Sequence, residues 1–397
     1  MNLEPPPRDV ALRFVLLLGV VSLLADVTYE GARSITGPFL AMLGASGALV
    51  GIVSGLGELT GNGLRLFSGW LADRTRRYWF LTLAGYTINL LAVPLLALAG
   101  RWEIAAALII AERTGKALRT PPRDAILSHA TARVGRGWGF GLHEAMDQIG
   151  AVAGPLLVAA VLRIEHNYRL AFALLLAPAL AALGVLLRAR QQYPNPQDLE
   201  PSTGLAARGF SRAFWMYMAA VGLVAAGYVD FPLIAYHLGR HSAFPAEQIP
   251  LLYALAMGVD ALAALIFGRL FDKLGISLLA LVAAVSALAA PLAFSGGRLA
   301  ALIAMAVWGA GVGAQESVLR AAVGALAPAS RRGTAYGLFN AFYGLLWFTG
   351  SAIMGVLYDI SLKSLIMFSV AAQLLAVPLF LAAVHAGKSP RPRSAAR

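Results

Sequence analysis

Asp26, Glu30 and Arg33 follow one another at spacings of four and three residues, so a helix would carry all three on one face. Glu58, Asn62 and Arg65 form a second stripe at i, i+4 and i+7. Glu112, Arg113 and Lys116 make a third group, with Arg113 and Lys116 sharing a face. In a fourth, His143 stands four residues before Asp147, and Glu144 four before Gln148. Asp230, Asp260 and Glu316 are more isolated. All of them lie in apolar runs of about 20 residues, the length that crosses a bilayer. A charge at the bilayer centre costs about 2.5–3.5 kcal/mol or more unless it is paired or hydrated, so these groups must face an interior. They comprise nine acids (Asp26, Glu30, Glu58, Glu112, Glu144, Asp147, Asp230, Asp260 and Glu316) and four bases (Arg33, Arg65, Arg113 and Lys116). Even with every base paired, five acids remain, and those must be protonated, wet or matched by a ligand. That is equipment for moving protons or cations.

Spacing also ranks the candidates. Asp26 has no base three or four residues away on its own helix and is the first choice of proton carrier. Glu30, Glu58 and Asp147 stand behind it, with Glu30 read as the partner of Arg33. The candidate substrate cavity takes Tyr29, Arg33, Asn62, Arg65, Arg113, Lys116, Glu144 and Gln148 from the first half of the chain. From the second half it takes Asp230, Tyr236, Asp260, Tyr343 and Trp347, whose aromatic rings form its apolar part. His143 and His237 are the only histidines within spans and are not at helical spacing, so no metal site is expected. The chain has no cysteine, which excludes disulfides, thiolate ligands and thiol nucleophiles. It has no P-loop, no HExxH and no G-x-S-x-G, so neither an enzyme nor a bound cofactor is expected.

The elements that hold these residues are membrane spans. Of 397 residues, 59% are apolar and 13% charged, against about 25% charged in a soluble domain. Mean hydropathy is +0.70. Twelve spans are predicted, at 12–42, 48–72, 78–99, 103–120, 137–162, 168–188, 212–238, 250–271, 276–295, 299–321, 333–358 and 364–384. The first is too long for a signal peptide and is read as a retained span. A polar, Pro-bearing connection divides the chain into a six-helix half at 1–187, a cytoplasmic linker at 188–211, a second six-helix half at 212–385 and a basic cytoplasmic tail at 386–397. With the N-terminus inside, the inner segments carry 22 of the 32 Lys and Arg and the outer loops carry 6. Both termini are therefore placed in the cytoplasm. The net charge of +12 is a matter of topology and implies no nucleic-acid partner.

The two halves repeat each other. Gly69-Trp-Leu-Ala-Asp73-Arg74 recurs 199 residues later as Gly268-Arg-Leu-Phe-Asp272-Lys273. Gly141, Leu142, Ala145 and Gly154 recur 196 residues later as Gly337, Leu338, Ala341 and Gly350. Parallel repeats of six spans are a transporter architecture with its site between the halves. At this point a family resemblance becomes specific. The segment 69–77 resembles the loop 2–3 signature of the major facilitator superfamily, with Thr75 where that family usually has a second glycine and Gly275 keeping it in the second copy. Arg113 with Gly115 resembles the family's span-four arginine motif. Gly150, Gly154 and Pro155 resemble its antiporter signature, with Val158 and Ala159 replacing the trailing glycines. The resemblance implies an all-α membrane protein of twelve helices in two pseudo-symmetric halves, working by alternating access. It implies gating by Gly69, Asp73, Arg74, Gly268, Asp272 and Lys273. Arg119 and Arg123 flank Pro121 and Pro122, which are read as ending the fourth helix, and either arginine is placed to pair with Asp73.

The expected function is proton-coupled export of small organic molecules by a monomer in a bacterial inner membrane, its partners being substrate, protons and lipid. The alternatives are a proton symporter importing an anionic metabolite gripped by Arg33, Arg65, Arg113 and Lys116, a metal or metal-chelate exporter, and a lipid flippase.

Overall fold

The computed structural model describes residues 8–134, 136–193, 209–241, 244–327 and 332–388. Among them there is no strand. A leading set of helices comprises α1 (Arg8–Met42), α2 (Gly47–Thr75), α3 (Tyr78–Leu95, extended by a 3₁₀ turn at Leu96–Leu98), α4 (Trp102–Val134), α5 (Arg136–Glu165), α6 (Tyr168–Leu174) and α7 (Leu176–Gln192). The trailing set begins with α8 (Arg212–Gly227), α9 (Phe231–Arg240), α10 (Gln248–Leu274), α11 (Ser277–Ser286) and α12 (Ala289–Ser295). It ends with α13 (Arg298–Ala314), a π turn at Gln315–Leu319, α14 (Arg320–Leu326), α15 (Arg332–Ile360) and α16 (Leu362–Lys388). α7 and α16 continue past residues 187 and 385, where the linker and tail were expected to begin. Residues 194–208 of that linker and 389–397 of that tail lie outside the described residues.

Among the described residues, ten helical segments are long and apolar enough to cross a membrane. α2 and α4 fall short of that composition for a physical reason. α2 carries Glu58, Asn62 and Arg65 among many glycines, and α4 carries Glu112, Arg113, Lys116 and Arg119. These are the side chains that face the interior of the bundle, so the two least apolar helices are those that wet it.

Among the described residues, α6 with α7, α8 with α9, α11 with α12 and α13 with α14 are pieces of single spans, and the bundle has two distinct ends. The near end holds the start of α1 and the end of α16; the far end holds the turn at 43–46 and the end of α15. Both copies of the repeated motif turn at the near end through a residue of positive φ, Arg76 after α2 (φ 54°) and Gly275 after α10 (φ 58°). These two are 199 residues apart, the offset of the repeat itself. The structure thus pairs Gly275 with Arg76, one residue after the Thr75 that the sequence comparison had set against it. They differ in ψ: Arg76 (ψ 18°) is in the left-handed helical region, whereas Gly275 (ψ −145°) is in a region open essentially to glycine alone.

Helices pack closely where glycines permit it. Gly150 and Gly154 lay α5 directly on the α1 backbone at Leu23, Val27 and Gly31. A Cβ on Gly150 would come within 2.8 Å of the Asp26 Cβ. Between the two sets, Gly37 rests against Pro232 and Tyr236, Gly51 against Ser351 and Gly355, and Gly55 against Phe348. This seam between α2 and α15 runs from Gly47 at the far end to Asn62 beside Gly344 at mid-depth.

One expectation fails. α4 does not end at Pro121 and Pro122 but passes through both and continues to Val134. Proline removes the hydrogen bond that the residue four before it would have accepted, which here strands the Ala117 carbonyl. The Ser68 hydroxyl of α2 donates to that carbonyl at 2.9 Å, and Gly69 packs on the Pro121 ring. A neighbouring helix supplies the missing donor, so the helix survives.

Candidate functional site

A cavity of about 570 Å³ lies between the two helix sets, running from Asp26, Tyr29 and Glu30 at mid-depth toward the near end. It is lined by Arg65, Lys116, Arg119, Arg123, Asp124, His143, Glu144, Asp147 and Gln148 on one side, and by Met257, Asp260, Glu316, Ser317 and Arg320 on the other. A smaller cavity of about 140 Å³ adjoins it, sharing Glu30, Arg65, Lys116, Asp260 and Arg320 and adding Asn62, Tyr253, Trp308, Gln315, Asn340, Tyr343 and Trp347. Asp26, Glu30 and Asp260 are buried, whereas Glu144, Glu316 and Arg320 are exposed. The cavity is therefore open toward the near end and closed toward the far end.

At its closed tip an ion network spans both helix sets. Arg33 Nη2 donates to Asp230 Oδ1 at 3.0 Å and to Glu58 Oε1 at 3.2 Å. Arg113 Nη2 lies 3.8 Å from the same Glu58 oxygen, and its Nε lies 3.3 Å from Glu112 Oε2. Glu30 is not the partner of Arg33. It accepts a 2.5 Å hydrogen bond from Tyr253 Oη of α10 and lies 3.8 Å from Lys116 Nζ. Spacing on one helix placed Glu30 beside Arg33, but the arginine reaches outward to the acid that caps the break between α8 and α9. Lys116 also sits 3.9 Å over the Tyr29 ring. Three of the four intramembrane bases are thus engaged by acids.

The expected proton carriers occupy different settings. Asp26 is 6% exposed, and among the described residues no base lies within 4 Å of it. Glu58 sits at the centre of the ion network. Asp147 lies 3.9 Å from His143 Nε2, which is within 3.2 Å of the Ser22 hydroxyl. Arg123 donates to that same hydroxyl at 3.0 Å and to Asp124 at 2.7 Å. Arg119 is 1% exposed and lies 4.2 Å over the Tyr86 ring. These two arginines are therefore helical residues held inside the leading set, not parts of an exposed turn.

Tyr236 is not in the cavity. It lies beyond the α8/α9 break toward the far end, donating to Ala45 O and accepting from Arg240. Asp230 lines only a void of about 30 Å³ at the tip. Of the near-end motif residues, Asp73 accepts from Tyr78 Oη at 3.1 Å, Arg74 covers Trp70, and Asp272 and Lys273 are exposed. Gly268 has open space around it.

Sequence reasoning missed Arg320, Gln315 and Asn340. Gln315 accepts from Tyr343 Oη at 2.9 Å and opens the π turn, a distortion frequent at functional sites. The signal was present: Gln315, Glu316 and Arg320 interrupt an apolar run within six residues. Arg320 was hidden by being counted as a charge of the cytoplasmic surface.

The family model of the Major Facilitator Superfamily matches residues 22–351 and 231–397. The chain belongs to the major facilitator superfamily. It shares 45% identity over 384 residues with an uncharacterized protein of Mycobacterium tuberculosis, covering 95% of this chain and 94% of that one. It is also similar to multidrug resistance protein MdtH of Proteus mirabilis, at 34% identity over 157 residues, 40% of this chain and 38% of that protein. In fold it resembles the crystal structure of the nucleoside transporter NupG, with a TM-score of 0.75 at 12% identity, over 93% of this chain and 99% of that one. This member of the superfamily is accordingly a multi-pass, all-α membrane transporter. Among its described residues, no three Asp, Glu or His side chains are grouped to hold a metal ion.

Proposed function

We propose that the protein is a proton-coupled exporter of small organic molecules, built as two six-helix halves (1–187 and 212–385) that alternate around the cavity. The observation that carries this reading is a cavity between the two helix sets, sealed at one end, in which Asp26, Glu144 and Asp260 have no base within 4 Å among the described residues. In this reading α2 and α4 also cross the membrane, for twelve spans, because their polar faces are turned to the cavity and not to lipid. The near end, rich in Arg, faces the cytoplasm by the positive-inside rule, as do both termini. The structure is then the inward-open state, and the Asp73/Arg74 and Asp272/Lys273 loops engage when that end closes. A single bacterial inner membrane houses the monomer. The partial likeness to a multidrug resistance protein supports export. The symporter reading is weakened, because Arg33, Arg113 and Lys116 already hold acids and only Arg65 of its four gripping bases remains.

The test uses the full chain in liposomes with an internal pH dye. Organic cations and zwitterions supplied on the substrate side should evoke counter-movement of protons, and Asp26→Asn should abolish it. Proton movement evoked by anions alone would favour the symporter. A competent preparation that moves labelled lipid but never protons would make the protein a flippase.

A further inference from the structure

Among the described residues, seven charged groups lining the cavity have no opposite charge within 4 Å, although both signs are present: Asp26, read above as the proton carrier, Arg119, which lies over the Tyr86 ring, and five more, Arg65, Arg320, Glu144, Asp260 and Glu316. These five fall into two poles. Arg65, from α2, and Arg320, from α14, both line the two adjoining cavities. The Arg65 Nε is buried with no hydrogen-bond partner. Asp260, from α10, is only 2% exposed, its Oδ1 has no hydrogen-bond partner, and the charges that bear most on it are Glu316 and Glu144. Gln148 Oε1 is a further buried acceptor without a donor on the same wall as Glu144. Gly313 makes room for Asp260, since a Cβ there would come 2.9 Å from its Oδ1.

Two guanidinium groups lining one cavity offer a site for a carboxylate or phosphate, which both can bind through paired N–H donors. Carboxylates without donors, around a buried acceptor, form a site for an ammonium group. Neither pole neutralises the other, and the two share one cavity with Trp308, Tyr343 and Trp347 lining its upper part. A lone cation would leave the guanidinium pair repelling, and a lone anion would leave the carboxylates so. We propose that the transported substrate is a zwitterion, its anionic group held between Arg65 and Arg320 and its cationic group at Asp260 and Glu144. This deepens the transport reading above and rests on it. Each pole draws on both helix sets, Arg65 and Glu144 from the leading one, Arg320 and Asp260 from the trailing one. A bound zwitterion therefore ties the two sets together at both of its ends.

The experiment measures binding and flux separately on the full chain. Binding to the detergent-solubilised protein is read from ligand-induced shifts in melting temperature with benzylamine, benzoate and a series of 4-(aminoalkyl)benzoates of increasing chain length. One member of the series should bind at least about tenfold more tightly than either half-ligand, the effect of one well-made charged hydrogen bond. Arg65→Gln and Arg320→Gln should reduce its affinity to that of benzylamine, and Asp260→Asn to that of benzoate. Each variant's melting temperature without ligand reports whether it is folded, and Glu144→Gln repeats the acidic test should Asp260→Asn fail to fold. Benzylamine binding as tightly as every zwitterion, or an affinity untouched by Arg65→Gln, overturns the proposal, as does a series with no stabilising member. Zwitterion binding without flux would leave this site standing and sink the transport reading. Flux of organic cations with no zwitterion preference would do the reverse.

Discussion

Arg33 joins the two helix sets through single atoms: one guanidinium nitrogen serves Glu58 in α2 and Asp230 at the start of α9. Removing one partner of a buried pair leaves the other charged and unmatched, which costs about 3–5 kcal/mol. Arg33→Gln should therefore lower the melting temperature of the purified protein, and adding Asp230→Asn should restore part of the loss. A melting temperature unchanged by Arg33→Gln would show that the network does not hold the tip closed. At this scale the sequence was legible in one respect only. That Asp26, Glu30, Glu58 and Arg113 must be interior follows from the cost of charge in hydrocarbon, and each lies there. Which charge meets which did not follow, because partners 25 and 197 residues apart are chosen by helix packing and not by spacing along one helix.

At the scale of the element, α4 shows how a helix keeps its course through two prolines. The Ser68 hydroxyl takes the carbonyl that Pro121 strands. Ser68→Ala should cost about 1–3 kcal/mol, the penalty of leaving a buried acceptor unmade, read as a lower melting temperature. Ser68→Thr, which keeps the hydroxyl, should lose less. Hydropathy placed most of the described helices to within about five residues, because long apolar runs are a strong sequence signal, but it ended the fourth at 120 where α4 runs to Val134. It could not show that α8 and α9 are separated by Tyr228–Asp230, nor that α4 outlasts its prolines. Both depend on neighbours: Trp308 donates to Val229 O at the first break, and Ser68 serves the second. Gly150 and Gly154, singled out for an antiporter-like bend, are explained at this level by the contact of α5 with α1.

For the whole molecule, the contacts at the far end hold the two helix sets together there. Asp359, at the end of α15, accepts from the Gly47 and Ala48 amides at 3.0 and 2.8 Å and so caps α2 from the opposite helix set. A carboxylate there satisfies the free N–H groups of the helix start and meets its positive end. Asp359→Asn should weaken this clasp and populate the state open at the far end. The native chain has no cysteine, so a Ser54→Cys reporter beside the seam can be labelled without background. Labelling by a membrane-impermeant maleimide from the far side should rise several-fold in Asp359→Asn, and an unchanged rate would show that the clasp plays no part in closure. In the seam it fastens, Gly51 and Gly55 of α2 bring that helix onto α15 at Phe348, Ser351 and Gly355, and beside it Gly37 of α1 rests on Pro232 and Tyr236. Helices in such close contact leave little width for a file of water. The resting protein is thus expected to be an insulator, so that many copies in one membrane would leave an ion gradient across it undrained.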